Sequence, residues 1–341
     1  MAELVSILIP AFNAEKWIQH AINSALNQTW PYKEIIIFDD GSTDNTFQVA
    51  RRFESRLVKV VKLYHSGAGA ARNGALAFAQ GDYIQWLDAD DILAPNKIAL
   101  QMQKIKSYHN SRLLFSSAWA TFYFRIYKAK FIPSPLWQDL ESFDWIYKKI
   151  DKGSWMAIET WLVSRKLTEL TGPWNEGLSL DIDGEYFCRV VAASEGVLFI
   201  PDAKCYCGIY NLKSISTSAN ISDHKLESLL LSTDLQNKCL LSLETSVRTR
   251  AACLNNLQRN LIYYYPEKQE LLDRINNLAH ELGGKLSPPD LNWKYNWIRK
   301  LFGWKSAKRA KYLLWVAKTM VYKNWDRLIS IIFPNFIHKS E

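Results

Sequence analysis

Four short apolar runs, separated by helix-like segments and two of them closing on clustered acids, limit what the first ninety residues can fold into. Val5-Ser6-Ile7-Leu8-Ile9-Pro10 reads as a buried strand, and an amphipathic segment from Ala14 to Asn27 follows it. Glu34 to Phe38 is the second strand. It ends in Asp39-Asp40-Gly41-Ser42, after which Thr43 or Asp44 caps a helix to about Ser55. Leu57 to Leu63 reads as strand, Ala68 to Gln80 as helix and Tyr83 to Leu87 as strand. Runs that are apolar throughout and alternate with helices imply a mostly parallel sheet flanked by helices on both faces, an α/β chain. Ligands of such sheets bind beyond the carboxyl ends of the strands. That places Pro10 to Asn13, Asp39 to Ser42 and Asp88 to Asp91 on one rim.

Beyond Pro95 a helix runs to about Tyr108, and the rhythm then loosens. Leu113–Phe115, Thr121–Phe124 and Ile158–Val163 read as strands, and Asp183 to Ser194 as a helix stopped at Gly196. Val197–Ile200 and Lys204–Tyr210 add two strands, and from about Ser222 the pattern is helical. Gly283-Gly284 and Pro288-Pro289 mark a boundary. The expected organisation is an α/β body over 1–220, a helical extension over 221–284 and a tail over 285–341.

The charge is concentrated in that tail. Lys285 to Glu341 carries twelve Lys and Arg against Asp290, Asp326 and Glu341, so the rest of this +8 chain is nearly neutral, at −1. The same stretch holds Trp293, Trp297, Trp304, Trp315 and Trp325. Aromatic rings interleaved with cations at helical spacing suit an interfacial helix on anionic lipid; a helical hairpin packed on the body is the plainer alternative. No recognition motif accompanies the charge, so nucleic acid is not an expected partner. No run approaches the ~18 apolar residues of a membrane span, and Met1-Ala2-Glu3-Leu4 lacks a basic leader. The expectation is a cytoplasmic protein, peripheral at the inner face of the plasma membrane. Five cysteines, an odd number, read as reduced thiols.

Asp88-Ala89-Asp90-Asp91 closes a strand, and acids this close repel one another. Hard divalent ions such as Mg²⁺ or Mn²⁺ take carboxylate oxygens and bridge them to substrate phosphates. Asp-Asp-Gly-Ser alone is also good turn chemistry, but two acidic clusters on one rim favour a cation site.

Taken in order, Val5 to Asn13, Asp39-Asp40-Gly41-Ser42-Thr43-Asp44, Ala71-Arg72-Asn73-Gly74 and Asp88-Ala89-Asp90-Asp91 resemble the family 2 glycosyltransferases of GT-A fold. The resemblance runs from residue 5 to about 210. It implies inverting, metal-dependent transfer of a sugar from a nucleotide-sugar, often a UDP-sugar, to a saccharide or lipid-linked saccharide acceptor in surface polysaccharide or glycolipid synthesis. On that pattern Pro10, Ala11 and Asn13 lie beside the nucleoside, and Asp40, with Asp39 nearby, contacts the base. Arg72 lies near the nucleotide, Asp88 and Ala89 near the ribose and donor sugar, and Asp90 holds the metal. The family's general base falls on Asp183, with Ile182 in place of the usual preceding acid and Asp181 as the nearest competitor. Lys213 stands in for a loop arginine at the leaving diphosphate. A catalytically idle nucleotide-sugar-binding or scaffold protein is the rival reading, prompted by Ile182 and Asn211.

Other signals carry less. Gly67-Ala68-Gly69-Ala70-Ala71-Arg72 imitates a dinucleotide fingerprint, but Arg72 occupies the third glycine position, where close packing wants no side chain. Cys205-x-Cys207 has no second pair at zinc spacing and reads as buried thiols. His65 lies near the rim as an ordinary loop histidine. Trp155 and Trp161 read as core more readily than as sugar platforms.

Overall fold

The computed structural model describes residues 3–108, 110–209, 221–289 and 291–332. In chain order the elements open with β1 (Val5–Ala11), α1 (Ile18–Leu26), β2 (Lys33–Asp39), α2 (Thr46–Arg51), β3 (Val58–Lys62), α3 (Ala68–Phe78) and β4 (Tyr83–Trp86). Next come β5 (Ile92–Leu93), α4 (Lys97–Tyr108), β6 (Leu114–Phe122), β7 (Lys130–Phe131), α5 (Ser142–Lys152), β8 (Leu162–Ser164), α6 (Arg165–Thr171), α7 (Ile182–Ala193) and β9 (Val197–Gly208). The helices α8 (Asp223–Leu243), α9 (Val247–Tyr264), α10 (Gln269–Glu281) and α11 (Trp293–Ile332) complete the described chain.

The strands form one sheet in the order β3-β2-β1-β4-β8-β6-β9-β5, with β7 on the edge of β6. Its first half, β3 to β4, is parallel throughout, as the apolar runs require. Beyond β4 the sheet is mixed: β8 is antiparallel to both β4 and β6, while β9 runs parallel to β6. Side chains alternate between the two faces of β1. Leu8 joins Ile36, Trp86, Trp161, Trp174 and Tyr186 in one core, and Ile7 and Ile9 join Ile18, Ile22, Ile98 and Met102 in the other. A third cluster, with Leu226, Leu230, Leu257, Leu261 and Ile275, binds α8, α9 and α10 together.

The expected rhythm holds through β4 and needs correction afterwards. Leu113–Phe115 and Thr121–Phe124 belong to one strand, because Ser116 to Ala120 between them is nearly all buried and pairs with β9. The two strands read over Val197–Tyr210 are likewise one, β9, whose pairing with β6 shifts register at Ser117/Ala118 opposite the Pro201-Asp202 interruption. Ile158–Thr160 is a 3-10 turn, and only Leu162–Ser164 of that stretch pairs in the sheet. Helices α5 and α6 were absent from the pattern reading. α5 buries only Trp145, Ile146 and Ile150 among otherwise polar neighbours.

Candidate active site

The carboxyl ends of β1, β2 and β4 gather the acids on one rim. Pro10 and Ala11 close β1, and Asn13 takes a left-handed φ of 51°, tolerable for asparagine. It is held there by Ser42, whose Oγ accepts from the Asn13 N–H at 2.9 Å, and by the Thr43 N–H, which donates to Asn13 Oδ1 at 2.9 Å. The two turns that follow β1 and β2 thus fix each other.

Asp39 and Asp40 face different surroundings. Asp39 is buried, with Oδ2 accepting from the Ser42 N–H at 3.3 Å and Lys62 Nζ 3.8 Å away. Asp40 reaches the next loop: its Oδ1 accepts from the Ser66 N–H (2.8 Å), its Oδ2 from the Gly67 N–H (3.0 Å), and His65 Nδ1 lies 2.8 Å from Oδ2. The His65 ring stacks on Phe12 at 4.2 Å. His65 is therefore part of the wall that Asp40 organises, more than the loop residue its position suggested. Gly41 has room for no side chain, since a Cβ there would meet the His65 backbone nitrogen at 2.6 Å.

Arg72 joins three elements. On α3, and almost fully buried, it sends Nη2 to Asp88 Oδ1 (3.2 Å) and Nη1 to Asp183 Oδ1 (2.9 Å). Its guanidinium carbon lies 4.6 Å over the Trp174 ring, which stacks on Tyr186 of α7 at 3.7 Å. A delocalised planar cation suits this combination of two carboxylates and an aromatic face; an ammonium does not. Trp174 is fixed in turn by its backbone N–H, which donates to Asn73 Oδ1 at 2.8 Å.

Asp183 lies in the first turn of α7, where the helix N-terminus favours negative charge. Burial, Asp88 and Asp181 push its carboxyl up to about 6 against the pull of Arg72. Its side chain keeps 42% of its surface open to the cleft, so solvent moderates that push. The cap position belongs to Asp181, not to Asp183. Asp181 turns the other way: its Oδ2 accepts from Ser232 Oγ (2.9 Å) and Gln236 Nε2 (2.5 Å) on α8. Ile182 packs into the core beside Trp174, which accounts physically for an apolar residue between two acids.

Below the rim Asp91, already part of the acidic cluster, meets side chains that sequence reasoning missed. Glu159 is fully buried, receives the Cys207 thiol at 2.7 Å through Oε1, and leaves Oε2 without a hydrogen-bond partner. Asp91 accepts from the Gly208 N–H at 2.8 Å. Ligand atoms of Asp91, Glu159 and Cys207 lie within 4.8 Å of one another. Burial raises both Asp91 and Glu159, with Glu159, Asp90 and Asp88 adding to it at Asp91 and Asp88 at Glu159, and burial with Asp88 and Glu159 nearby pushes Asp90 up to about 7. Lys97 is also fully buried, donates to Gln85 Oε1, and is pushed down to about 7 by desolvation. No spacing rule links residues 91, 97, 159 and 207, so only the fold assembles them.

Asp88 and Asp90 are half-buried at the strand end, and Ala89 between them is buried. An acid with Asp90's raised affinity for protons, flanked by like charges, fits a hard divalent ion on oxygen ligands. Trp161 is core, as expected, whereas Trp155 is half exposed with its ring 4.2 Å from Trp119. Lys213, like Asn211, lies outside the described residues.

Comparison with known proteins agrees with this geometry. Residues 6–127 match the family model described as glycosyl transferase family 2. Over 100 residues the chain is 44% identical to an Escherichia coli UDP-Glc:alpha-D-GlcNAc-diphosphoundecaprenol beta-1,3-glucosyltransferase, WfgD, a stretch covering 29% of this chain and 40% of that one. It is 42% identical over 103 residues to chondroitin synthase of Pasteurella multocida, covering 30% of this chain and 11% of that one. This chain therefore spans less than half the length of these curated relatives. Among solved structures, S. aureus TarS 1-349 in complex with UDP-GlcNAc superposes with a TM-score of 0.54 at 18% identity, over 90% of this chain and 91% of that one. Residues 6–127 are thus similar to glycosyl transferase family 2, and the fold of the chain is that of the GT-A glycosyltransferases.

Proposed function

We propose that this protein is an inverting, metal-dependent glycosyltransferase that moves a sugar from a UDP-sugar to the hydroxyl of a lipid-linked saccharide at the cytoplasmic membrane face. The observation that carries the reading is the Arg72 bridge. It links Asp88, at the strand end where the donor belongs, to Asp183, the one acid of the α7 turn that faces the same cleft. The UDP-bound form of TarS and the lipid diphosphate in the WfgD name support the classes of donor and acceptor.

The chemistry follows from the roles this geometry permits. Pro10, Ala11, Asn13, Asp39 and Asp40 form the nucleoside side of the cleft, and Asp88 with Ala89 the ribose and sugar side. Asp183 accepts the proton of the acceptor hydroxyl as that oxygen attacks the anomeric carbon, and the bond to the diphosphate breaks on the opposite face. One acid acting as base, with Asp88 assigned to the donor side of the cleft, suits one displacement with inversion. Arg72 holds Asp183 ionised and fixes its direction. Mg²⁺ or Mn²⁺ held by Asp90 would supply charge stabilisation to the departing diphosphate. Lys213 is proposed to add positive charge there.

Thermal stabilisation by a panel of nucleotide-sugars, with and without Mn²⁺, tests the reading through mass action. A shift with a UDP-sugar that needs Mn²⁺, together with transfer abolished by Asp183→Asn, is the expected result. A folded protein that no donor stabilises overturns it in favour of a scaffold.

A further inference from the structure

Among the described residues, helix α11 has one side on the body and another that is exposed. The chain breaks its helical path at Gly303, where φ is 76°, and from Trp304 onward runs back along the body. Lys308, Thr319 and Asp326 recur at intervals of eleven and seven residues, close to whole numbers of turns, and so share one line. That line is the seated one. Lys308 Nζ donates to Tyr265 O (2.8 Å) and pairs with Glu267 (3.0 Å), and Thr319 is buried. Asp326 Oδ2 accepts from the Phe124 and Arg125 N–H groups at 2.9 and 3.0 Å, while its Oδ1 pairs with the Arg125 guanidinium. The clasp lies just past the end of β6. A cavity of about 470 Å³ lined by Asn13, Lys16, Trp17, Phe124, Lys323 and Arg327 separates this part of α11 from the rim.

Opposite the seated line stand Leu313, Leu314, Val321, Leu328 and Ile332, exposed by 62, 58, 68, 50 and 55%. At roughly 100° per residue they form a continuous apolar stripe that contains no charged residue. The cations flank it: Lys311 and Lys318 along one edge, Arg309 and Arg327 along the other. Trp325, 60% exposed, lies on the first edge. From Trp293 to Ile332 the helix carries ten Lys and Arg against the single Asp326, and that acid is used by the clasp. A protein partner of ordinary composition does not require cations along both borders of an apolar stripe. An anionic bilayer does, because acyl chains take the stripe while snorkelling cations meet the headgroups. No helix of the described residues is long and apolar enough to cross a membrane, so contact along the helix axis is the geometry available.

We propose that the stripe Leu313–Leu314–Val321–Leu328–Ile332 is a docking face for an anionic lipid bilayer, held to the body by the Asp326–Arg125 clasp. The proposal rests on the membrane-surface reading above but is carried by the structure of α11, not by the catalytic site. The clasp makes the docked helix a rigid part of the body, so the rim is presented to the bilayer in one orientation.

Flotation of the full chain with vesicles of phosphatidylcholine alone, or mixed with phosphatidylglycerol, tests this. The wild type should float with the anionic vesicles and remain free of the neutral ones. The triple variant Leu313→Glu, Val321→Glu, Leu328→Glu should lose roughly ten-fold or more of that partitioning with an unchanged melting temperature. A second variant, Arg309→Gln, Lys311→Gln, Lys318→Gln, which leaves the stripe intact, should lose the preference for anionic lipid. Wild type that ignores anionic vesicles, or a triple variant that floats as well as wild type, overturns the proposal. So does a wild-type dimer in solution that the triple variant converts to monomer, since the stripe would then serve a second copy. Donor binding, read as thermal shift without vesicles, is independent of every arm, so failure of the enzyme reading is seen separately.

Discussion

Arg72 Nη1 stands 2.9 Å from Asp183 Oδ1, while Nη2 of the same guanidinium stands 3.2 Å from Asp88 Oδ1. The cation therefore sets both the direction and the proton affinity of the acid proposed as base. It lowers the Asp183 carboxyl while burial and the neighbouring acids raise it, and the balance lies at about 6. A base must be ionised to act, so transfer should rise with pH through about 6 and level off above it. Below that limb kcat/KM should fall about tenfold per pH unit. A rate that stays flat from pH 5 to 8 would remove Asp183 from the role.

Removing the cation should move that limb. Arg72→Met takes away the interaction that favours the Asp183 anion, so the acid limb should shift upward by about one pH unit, alongside a loss of rate. Arg72→Lys keeps the charge but not the two-ended reach, and should restore the limb position more than the rate. A pH–rate profile of each variant separates this from simple misfolding.

Asp183→Asn preserves the shape of the α7 turn and abolishes the proton acceptor. Its turnover should drop by ~10²–10⁴-fold while thermal stabilisation by the donor persists. Loss of both together would mean that Asp183 belongs to the donor site instead.

Asp90→Asn should uncouple donor binding from metal. In the wild type Mn²⁺ is expected to enlarge the thermal shift given by a UDP-sugar; in the variant the shift should be the same with and without Mn²⁺. A variant that still responds to the ion would direct attention to Glu159 and Cys207 as its ligands.

Lys97 gives a stability prediction of definite sign. Burial lowers its pKa from 10.5 to about 7. Between those values the unfolded chain binds more protons at this site than the folded one, so this residue contributes stability that rises with pH. Lys97→Met has no such term. Melting temperatures of the two proteins should therefore converge toward alkaline pH and separate toward neutral, the wild type losing ground. A constant difference would show that Lys97 keeps its charge in the fold.

The sequence made the first half of the molecule legible because strands buried on both faces spell continuous apolar runs, and acids cluster where β2 and β4 end. It lost the second half where that rule fails. Ser116 and Ser117 are buried small polar residues inside β6, and they broke one strand into two on paper. The site divides the same way. Asp40, Arg72, Asp88 and Asp90 announce themselves in motifs, and the Asp181-Ile182-Asp183 ambiguity dissolves only when one acid is seen to face Arg72 and the other α8. Glu159 and Lys97 had no local signal at all; each is a charged residue in an otherwise ordinary segment, made consequential by burial.

Asp181 has a bearing on how the molecule can be taken apart. Its carboxylate is held by Ser232 and Gln236, and Ser232 Oγ also donates to its main-chain oxygen at 2.9 Å, so the turn that presents Asp183 is tied to α8 from behind. The boundary suggested by the sequence, near residue 220, passes between the acid proposed as base and its support. A fragment ending there would keep these motifs and lose the hydrogen bonds that hold the turn before Asp183, so the downstream helices belong to the scaffold of the rim and the part that keeps the turn in place is longer than the family signature.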